Sequence, residues 1–549
     1  MTHPRTTLTG TVHVPIPVNQ PARDFAPGSP EAQSLRKELD RIASEVRTLT
    51  HVIDGVRPEP GSDTQAVVAP HDHQHVLAHL PRATDADVDA AIDAALAARP
   101  AWSTTPWFER ASVFLRAAEL VSGKYRDELL ATTMLGQSKT FHQAEIDVNE
   151  LADFLRYNAG LAEELYSAQP PKSVAGEINY LDHKGLEGFV VALTPFNFTA
   201  IAGNLPATQA LTGNVVVWKP SEKSALSSDV VMRLFEEAGV PAGVINLVHG
   251  SGELVTARAI AHPMFAGLSF TGSTTVFRHI WKSVANNIEN YRSYPRIVGE
   301  TGGKNSIVAH PTADVDAVFT ALVRSSFEYQ GQKCSASSRA YIPRSLWTEL
   351  EPRLVDTVGQ LSVGDVTEHR TYVGAVIDET ALLRLQAAFD RIATTAGHRI
   401  IVGGTTRADT GWFVDPTIAV TEDPKSFAME QEFFGPLLTV YVYDDADWSS
   451  TLELVDGTSE YALTCSVFST DRSAIVEALE VLREAAGMTY INDKPTGATM
   501  GRQQFGGGRG SGTNDKTGSL LALQRWVNAR FVKETFAPAT EWAYPYLGH

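Results

Sequence analysis

Two short stretches carry groups that can make and break bonds. Gln330-Gly331-Gln332-Lys333-Cys334-Ser335 follows a helical stretch, Ala313 to Tyr329, and presents a thiol at a glycine-loosened turn. Lys333 precedes the thiol, and Ser335, Ser337 and Ser338 follow it. A thiol so placed is expected to be partly exposed with a lowered pKa, the state of a nucleophilic thiolate. Upstream, Gly299-Glu300-Thr301-Gly302-Gly303-Lys304-Asn305 puts a carboxylate in a glycine-rich turn after the apolar pair Ile297-Val298. That carboxylate is a candidate base. The chain has only 2 cysteines. Most lone cysteines are small buried hydrophobes, and Cys465, inside the apolar run Ala462 to Phe468, fits that description. Cys334 sits among polar and small residues instead.

The elements that must hold these groups are those of a globular chain. At 549 residues it is too long for one ordinary core, so two or three domains are expected. Hydrophobic content is 43% and charged content 20%. No apolar run is long enough to cross a bilayer, and no apolar core of a secretory signal follows Met1 to Arg5. Two cysteines give no disulfide framework and suit a reducing cytosol. The net charge of -18, without a Lys/Arg cluster, argues against nucleic acid or an anionic membrane as partner. A local basic pocket for an anionic ligand stays open. His71-Asp72-His73-Gln74-His75 alternates as a strand does and lacks a second cluster, so a loop or strand is favoured over a metal site.

In chain order, residues 1–28 read as an extended arm, and Ser29-Pro30 opens a helix with Leu35, Leu39, Ile42 and Val46 on one face. Helices are expected at Asp85 to Ala98, Trp107 to Lys124 and Gln143 to Asn158. Glu145, Asp147, Glu150 and Asp153 of the last read mostly as its wet face. From Leu186, strand and helix alternate. Apolar runs at Gly188 to Leu193, Asn214 to Trp218, Val244 to Val248 and Gly267 to Phe270 each lead into a helix, as in a doubly wound nucleotide-binding domain. No G-x-G-x-x-G follows the first strand, so Thr271-Gly272-Ser273 at a helix start is the substitute anion site. The second half alternates again, with helices at Asp314 to Tyr329 and Arg344 to Leu361 and strands near Arg399 to Val402, Leu438 to Tyr443 and Gly487 to Ile491. It is broken by the turn Gln431 to Pro436 and by a long glycine-rich loop, Thr496 to Gly518, of a kind that closes on a ligand. Val174 to His183 and Trp526 to Phe536 look like exposed strands without a partner in the alternation, and pairing across a subunit interface would cover their edges.

These pieces resemble the aldehyde dehydrogenase superfamily from about residue 60 to 535. T-P-F-N-F at Thr194 to Phe198, F-T-G-S-T at Phe270 to Thr274, E-T-G-G-K-N at Glu300 to Asn305, G-Q-K-C-S at Gly331 to Ser335 and E-F-F-G-P at Glu432 to Pro436 stand in the expected order. Within it the chain is similar to the 1-pyrroline-5-carboxylate (L-glutamate γ-semialdehyde) dehydrogenases. The pointers are the run through Pro206, Phe277 where most relatives have glycine, Lys333 and Ser335 beside the cysteine, and the loop Ile491 to Lys516. That loop departs from the usual pattern at Arg502, Gln504, Gly508 and Gly510.

The resemblance implies an α/β fold: a Rossmann-type NAD-binding domain (61–170 and 186–298), an α/β catalytic domain (299–513), and a β-flap for oligomerisation with a C-terminal tail (171–185 and 514–549). An N-terminal arm and helix occupy 1–60. It implies Cys334 as nucleophile, Glu300 as base for the hydrolytic water, and the Asn197 amide as oxyanion donor. Lys219 and Glu222 would hold the adenine ribose of NAD, Ser273 the pyrophosphate, and Glu432 the nicotinamide ribose with Phe434 beside it. Phe198 and Phe505 would flank the aliphatic part of the substrate. Gly497, Ala498 and Ser335 would take its carboxylate, with Glu150 and Lys333 nearby. The implied reaction is NAD-dependent oxidation of L-glutamate γ-semialdehyde to glutamate in proline catabolism, by a cytoplasmic homodimer or dimer-based oligomer without a metal. Another semialdehyde substrate, a thiol esterase using Cys334 and Glu300 without hydride transfer, and a non-catalytic scaffold are the alternatives. The cofactor-type residues speak against the esterase, and the joint presence of Cys334, Glu300 and Asn197 against the scaffold.

Overall fold

A computed structural model describes residues 10–59 and 61–548. Two open sheets dominate it. The first has five parallel strands in the order Ile245–Leu247, Val216–Pro220, Phe189–Thr194, Phe265–Thr271, Arg296–Glu300. Phe189–Thr194 is buried throughout, as a continuous apolar run between helix layers must be. The chain winds outward from this strand on one side and then returns to its other side. The reversal lies between Phe189–Thr194 and Phe265–Thr271, where such sheets open a crevice at their carboxyl edge.

The second sheet has seven strands in the order His398–Val402, Thr417–Thr421, Leu437–Tyr443, Ser337–Pro343, Asn305–Ala309, Thr464–Phe468, Met488–Ile491. Only the edge strand His398–Val402 runs antiparallel. Cys465 lies inside Thr464–Phe468, 1% exposed, with the Ser306 hydroxyl 3.3 Å from its sulfur.

Several expectations need correction. Phe141–Ser167 is a 27-residue helix, longer than foreseen, and Arg126–Gln137 is a further helix before it. Glu145, Asp147 and Asp153 are buried rather than a wet face. Glu145 pairs with Arg126 and Asp147 with Lys139 at 2.6 Å. The two supposed unpartnered strands pair with each other, Glu177–Gly185 antiparallel to Val527–Thr535. The outer edge of Glu177–Gly185 is partly covered, the Gln169 side chain bonding the Leu181 N–H and carbonyl at 2.8 and 3.0 Å, while among the described residues Val527–Thr535 pairs with no second strand and its Phe531 is 74% exposed. Arg47–Thr48 joins a three-stranded sheet with Thr64–Ala69 and Asp72–Pro81, so part of the expected N-terminal segment belongs to the body. Strand Arg296–Glu300 crosses the expected boundary at 298/299 and places Glu300 on the five-stranded sheet.

The helix Pro30–Ala43 starts as expected, capped by Ser29 and burying Leu35, Leu39 and Ile42. The extended arm is described from residue 10 onward; residues 1–9 lie outside the described part. The histidines at and just before the start of the strand Asp72–Pro81 diverge. His71 faces Asp365 at 3.5 Å, His73 stacks on Trp412, and His75 hydrogen-bonds the Ala43 carbonyl at 2.8 Å. Among the described residues no three His, Cys, Asp or Glu converge as metal ligands, and no helix is long and apolar enough to cross a membrane.

Candidate active site

The carboxyl edge of the five-stranded sheet gathers four of the predicted residues. Asn197 follows Phe189–Thr194, Lys219 ends Val216–Pro220, Ser273 follows Phe265–Thr271, and Glu300 ends Arg296–Glu300. Ser273 caps helix Thr274–Asn286, its hydroxyl accepting from the Val276 N–H. That leaves further first-turn N–H groups at the positive end of the helix beside the crevice, a setting suited to a diphosphate. Lys219 meets Glu222 at 3.2 Å, and burial lowers the lysine's pKa while Glu222 opposes this. A side chain at Gly252 would approach within 3.8 Å of the ammonium. A charged pair at this edge, beside a helix N-terminus at the reversal point, fits a dinucleotide.

Cys334 comes from the other half. Three successive left-handed residues precede it, Tyr329, Gln330 and Gly331, at φ 51, 55 and 64. For non-glycine residues this backbone is strained and needs outside support. The buried Gln330 amide gives it by donating to the carbonyls of Ser138 and Ala375, each at 2.8 Å. At Gly331 an added Cβ would meet the Gly435 carbonyl at 2.3 Å, so only glycine fits. The Cys334 carbonyl accepts from Asn305 at 2.6 Å.

The thiol is 8% exposed. Burial pushes its pKa far above the ordinary thiol value; Glu300, Glu432 and Glu150 push it further, and only the Ser335 N–H on the sulfur opposes them. This overturns the expectation of a lowered pKa set by Lys333. The Lys333 ammonium turns to Glu328 at 3.1 Å, where burial brings its own pKa down to about 8. Burial and the surrounding carboxylates thus favour the neutral form of the sulfur.

Glu300 is buried, and its carboxylate rests on the glycine loop. The Gly507 N–H donates to it at 3.1 Å, and an added Cβ at Gly506 would come within 3.2 Å. Burial holds its pKa well above the usual carboxylate range, with Lys516 opposing and Asp515 adding. Its negative charge is also among those that raise the pKa of Cys334. Glu432 accepts from the Gly303 N–H at 2.7 Å and is pushed up to about 7, chiefly by burial. Gly302 makes room for it: an added Cβ would lie 2.2 Å from the carboxylate. Phe434, at φ 50, sits edge-on to Phe196.

Asn197 is buried, and one of its amide hydrogens goes to the Gln332 carbonyl at 3.0 Å, two residues from the thiol. Among the described residues the other amide hydrogen has no partner, which leaves it for a ligand oxygen. Asp147 fixes this turn by accepting from the Thr199 and Ala200 N–H groups at 2.9 and 2.8 Å at the start of helix Thr199–Leu211. The paired Lys139 ammonium lies 4.1 Å from the Phe198 ring centre and 4.5 Å from that of Tyr329. Glu150 joins the group, pushed up to about 8 by burial first and Asp147 next.

Ser335 is buried beside the sulfur, while Gly497 is exposed and Ala498 half-buried on the loop above. Lys494 anchors that loop through the Thr496 hydroxyl at 3.1 Å and lies 3.8 Å from Glu328, so Lys333 and Lys494 leave one positive charge in excess around Glu328. Phe505 is half-buried, its N–H on the Thr517 carbonyl at 3.2 Å. Phe277 lies flat on Phe270 and covers Gly299, where a Cβ would sit 2.2 Å from the ring. Sequence reasoning missed Asp147, Lys139 and Gln330. For Asp147 a signal existed: residues two apart, as Glu145 and Asp147 are, cannot share one wet helix face.

The aldehyde dehydrogenase family model matches residues 57–532. The delta-1-pyrroline-5-carboxylate dehydrogenase of Dictyostelium discoideum is 46% identical over 97% of this chain and 96% of that protein. The human mitochondrial protein of that name is 44% identical over 96% of this chain and 94% of its own. Among solved structures, the delta-pyrroline-5-carboxylate dehydrogenase of Mycobacterium tuberculosis bound with NAD superposes with a TM-score of 0.95 at 48% identity, covering 98% of this chain and 100% of the other. With the strand-end residues and the buried thiol in the arrangement described, the chain belongs to the aldehyde dehydrogenase family.

Proposed function

We propose that this chain oxidises L-glutamate γ-semialdehyde, the open form of 1-pyrroline-5-carboxylate, to L-glutamate in proline catabolism, with NAD as cofactor. The similarity to proteins of that name over nearly the whole length supports the substrate. The observation that carries the chemistry is geometric: a buried Cys334, a buried Glu300 held by the Gly507 N–H, and the Asn197 amide bonded two residues from the thiol. NAD, when bound, supplies the hydride acceptor.

Cys334 adds to the aldehyde carbon, its proton leaving for a neighbouring carboxylate, and the developing alkoxide takes the free Asn197 N–H and the Cys334 N–H. A bound NAD would accept the hydride of this adduct, which would leave a thioester on the sulfur. Glu300 then takes a proton from water as the oxygen attacks the thioester, and the C–S bond breaks to give glutamate and the thiol. Burial raises the Glu300 pKa and so makes its carboxylate a stronger base than one in water. Lys219 and Glu222 take the adenine ribose, where a carboxylate disfavours a 2′-phosphate. Ser273 serves the pyrophosphate, and Glu432 with Phe434 the nicotinamide ribose. The substrate's carboxylate meets Gly497, Ala498 and Ser335, with Lys333 and Lys494 supplying positive charge. Phe198 and Phe505 line its aliphatic part, and Glu150 faces its far side.

The five-stranded sheet forms the cofactor half and the seven-stranded sheet the thiol half. The two-stranded flap, with the exposed edge strand Val527–Thr535, serves a dimer-based homo-oligomer. The free cysteines suit a cytoplasmic setting. The direct test is reduced-cofactor absorbance with purified protein, NAD and pyrroline-5-carboxylate. Turnover is expected with this substrate, and absence of any reduced cofactor would refute the reading.

A further inference from the structure

The arm before the first helix lies along helix Phe141–Ser167 and runs against it. The Val14 N–H donates to Glu163 at 2.8 Å, the Gln20 N–H to Asp153 at 2.7 Å, and the Arg23 N–H to Glu145 at 2.7 Å. At the far end Phe25, 2% exposed, meets Phe141. Three carboxylates on one helix thus hold three backbone N–H groups of the arm.

One arm side chain reaches past the helix. The Asn19 amide nitrogen donates to Asp153 at 2.9 Å and to the Met500 carbonyl at 3.0 Å, and its oxygen accepts from the Tyr157 hydroxyl at 3.1 Å. Both amide hydrogens are used. Met500 lies in the loop between Gly497-Ala498 and Phe505. Tyr157 also covers Gly501, where an added Cβ would come within 2.2 Å of the ring, and the buried Met500 side chain lies over Gly518. The loop's midpoint is therefore clamped between arm and helix. Farther along, the Glu300 side of the same segment is held separately: Thr301 N–H donates to the Ser511 carbonyl at 2.8 Å and Thr513 N–H to the Gly299 carbonyl at 2.9 Å.

We propose that Asn19 is a positioning residue for substrate selection. By fixing the Met500 carbonyl it sets Gly497-Ala498 and Phe505 against the amino-acid end of the substrate, without touching substrate itself. This rests on the reading that the loop takes that end. Asn19 lies outside residues 57–532, so it adds to the part matched by the family model. The reacting end depends on Cys334 and Glu300, which are held by other contacts. Loosening the clamp therefore weakens binding of an amino-acid-bearing aldehyde and spares a plain one.

The test compares wild type with Asn19→Ala and the milder Tyr157→Phe on glutamate semialdehyde and on propanal. Loss of the Asn19 bonds is expected to raise KM for glutamate semialdehyde about 5- to 10-fold, with kcat for it and kcat/KM for propanal within about twofold. Tyr157→Phe moves KM the same way by about twofold. Amide exchange over 499–504 quickens in both variants. Equal losses on both aldehydes, or unchanged KM in both variants, overturn the proposal. Ala498→Asp separates the two layers. If it leaves KM for glutamate semialdehyde unchanged, the loop reading fails and the selection role with it, while exchange over 499–504 still reports the clamp. If it raises KM and Asn19→Ala does not, the clamp alone fails.

Discussion

The two sides of the site are built differently. On the cofactor side, Asn197, Lys219, Ser273 and Glu300 each stand at or just past the end of a regular parallel strand, and the sheet itself sets their spacing. On the thiol side, Cys334 follows a turn of three left-handed residues, Tyr329 to Gly331, and the glycine loop packs against Glu300. A sheet edge is inexpensive to build and tolerant of its neighbours. The turn stores strain that a few hydrogen bonds must hold. Damage at the sheet-edge residues Lys219, Glu222 and Ser273 should thus appear as weaker cofactor binding, and damage to the turn that carries the thiol as lost turnover.

The largest effect is expected where the two cysteines are compared. Cys334→Ala removes the nucleophile, and turnover should fall at least about 10⁴-fold. Cys465→Ala, in the middle of a strand, should leave kcat intact and lower unfolding free energy by about 1 kcal/mol. Equal losses in the two variants, measured by cofactor reduction and by denaturant melts, would erase the distinction. Gln330→Leu keeps the volume but drops the bonds to Ser138 and Ala375. It should cut kcat about 10- to 100-fold with KM for NAD unchanged. Glu222→Gln, on the sheet edge, should do the reverse, raising KM for NAD about fivefold with kcat held. A shared fate for these two variants would dissolve the contrast between the sides.

The smallest effect concerns the thiol's proton. Burial and carboxylates raise the pKa of Cys334, so the thiolate forms only as pH climbs past the usual thiol range near about 8.5. Iodoacetamide labelling of the cofactor-free protein should be slow at pH 7 and still rising there. Glu300→Gln removes the charge that opposes ionisation most, and should move the profile down by about one pH unit. A wild-type midpoint at or below pH 7.5 would restore the lowered thiol expected from Lys333.

Much of the sheet edge was legible because strand-then-helix alternation is a local pattern, and the motif order placed Glu300 and Cys334 on separate turns. The alternation also located the glycine loop from Thr496 to Gly518. What the sequence hid is non-local. Lys333 looks like a partner for the adjacent thiol, yet neighbouring side chains on a turn diverge, and Glu328 captures the ammonium. Asp147 looked solvated because its partners, Lys139 and the N–H groups of Thr199 and Ala200, come from other segments. The exposed strands looked unpartnered because their pairing spans most of the chain, Glu177–Gly185 with Val527–Thr535.

The division of labour between sulfur and carboxylate is tested most directly by rapid mixing of Glu300→Gln with NAD and pyrroline-5-carboxylate, followed by intact-mass analysis. One equivalent of reduced cofactor per site should form promptly, then turnover should stall with the substrate's acyl group retained on Cys334. Steady turnover at the wild-type rate, or no initial burst in a protein that still binds NAD, would contradict it.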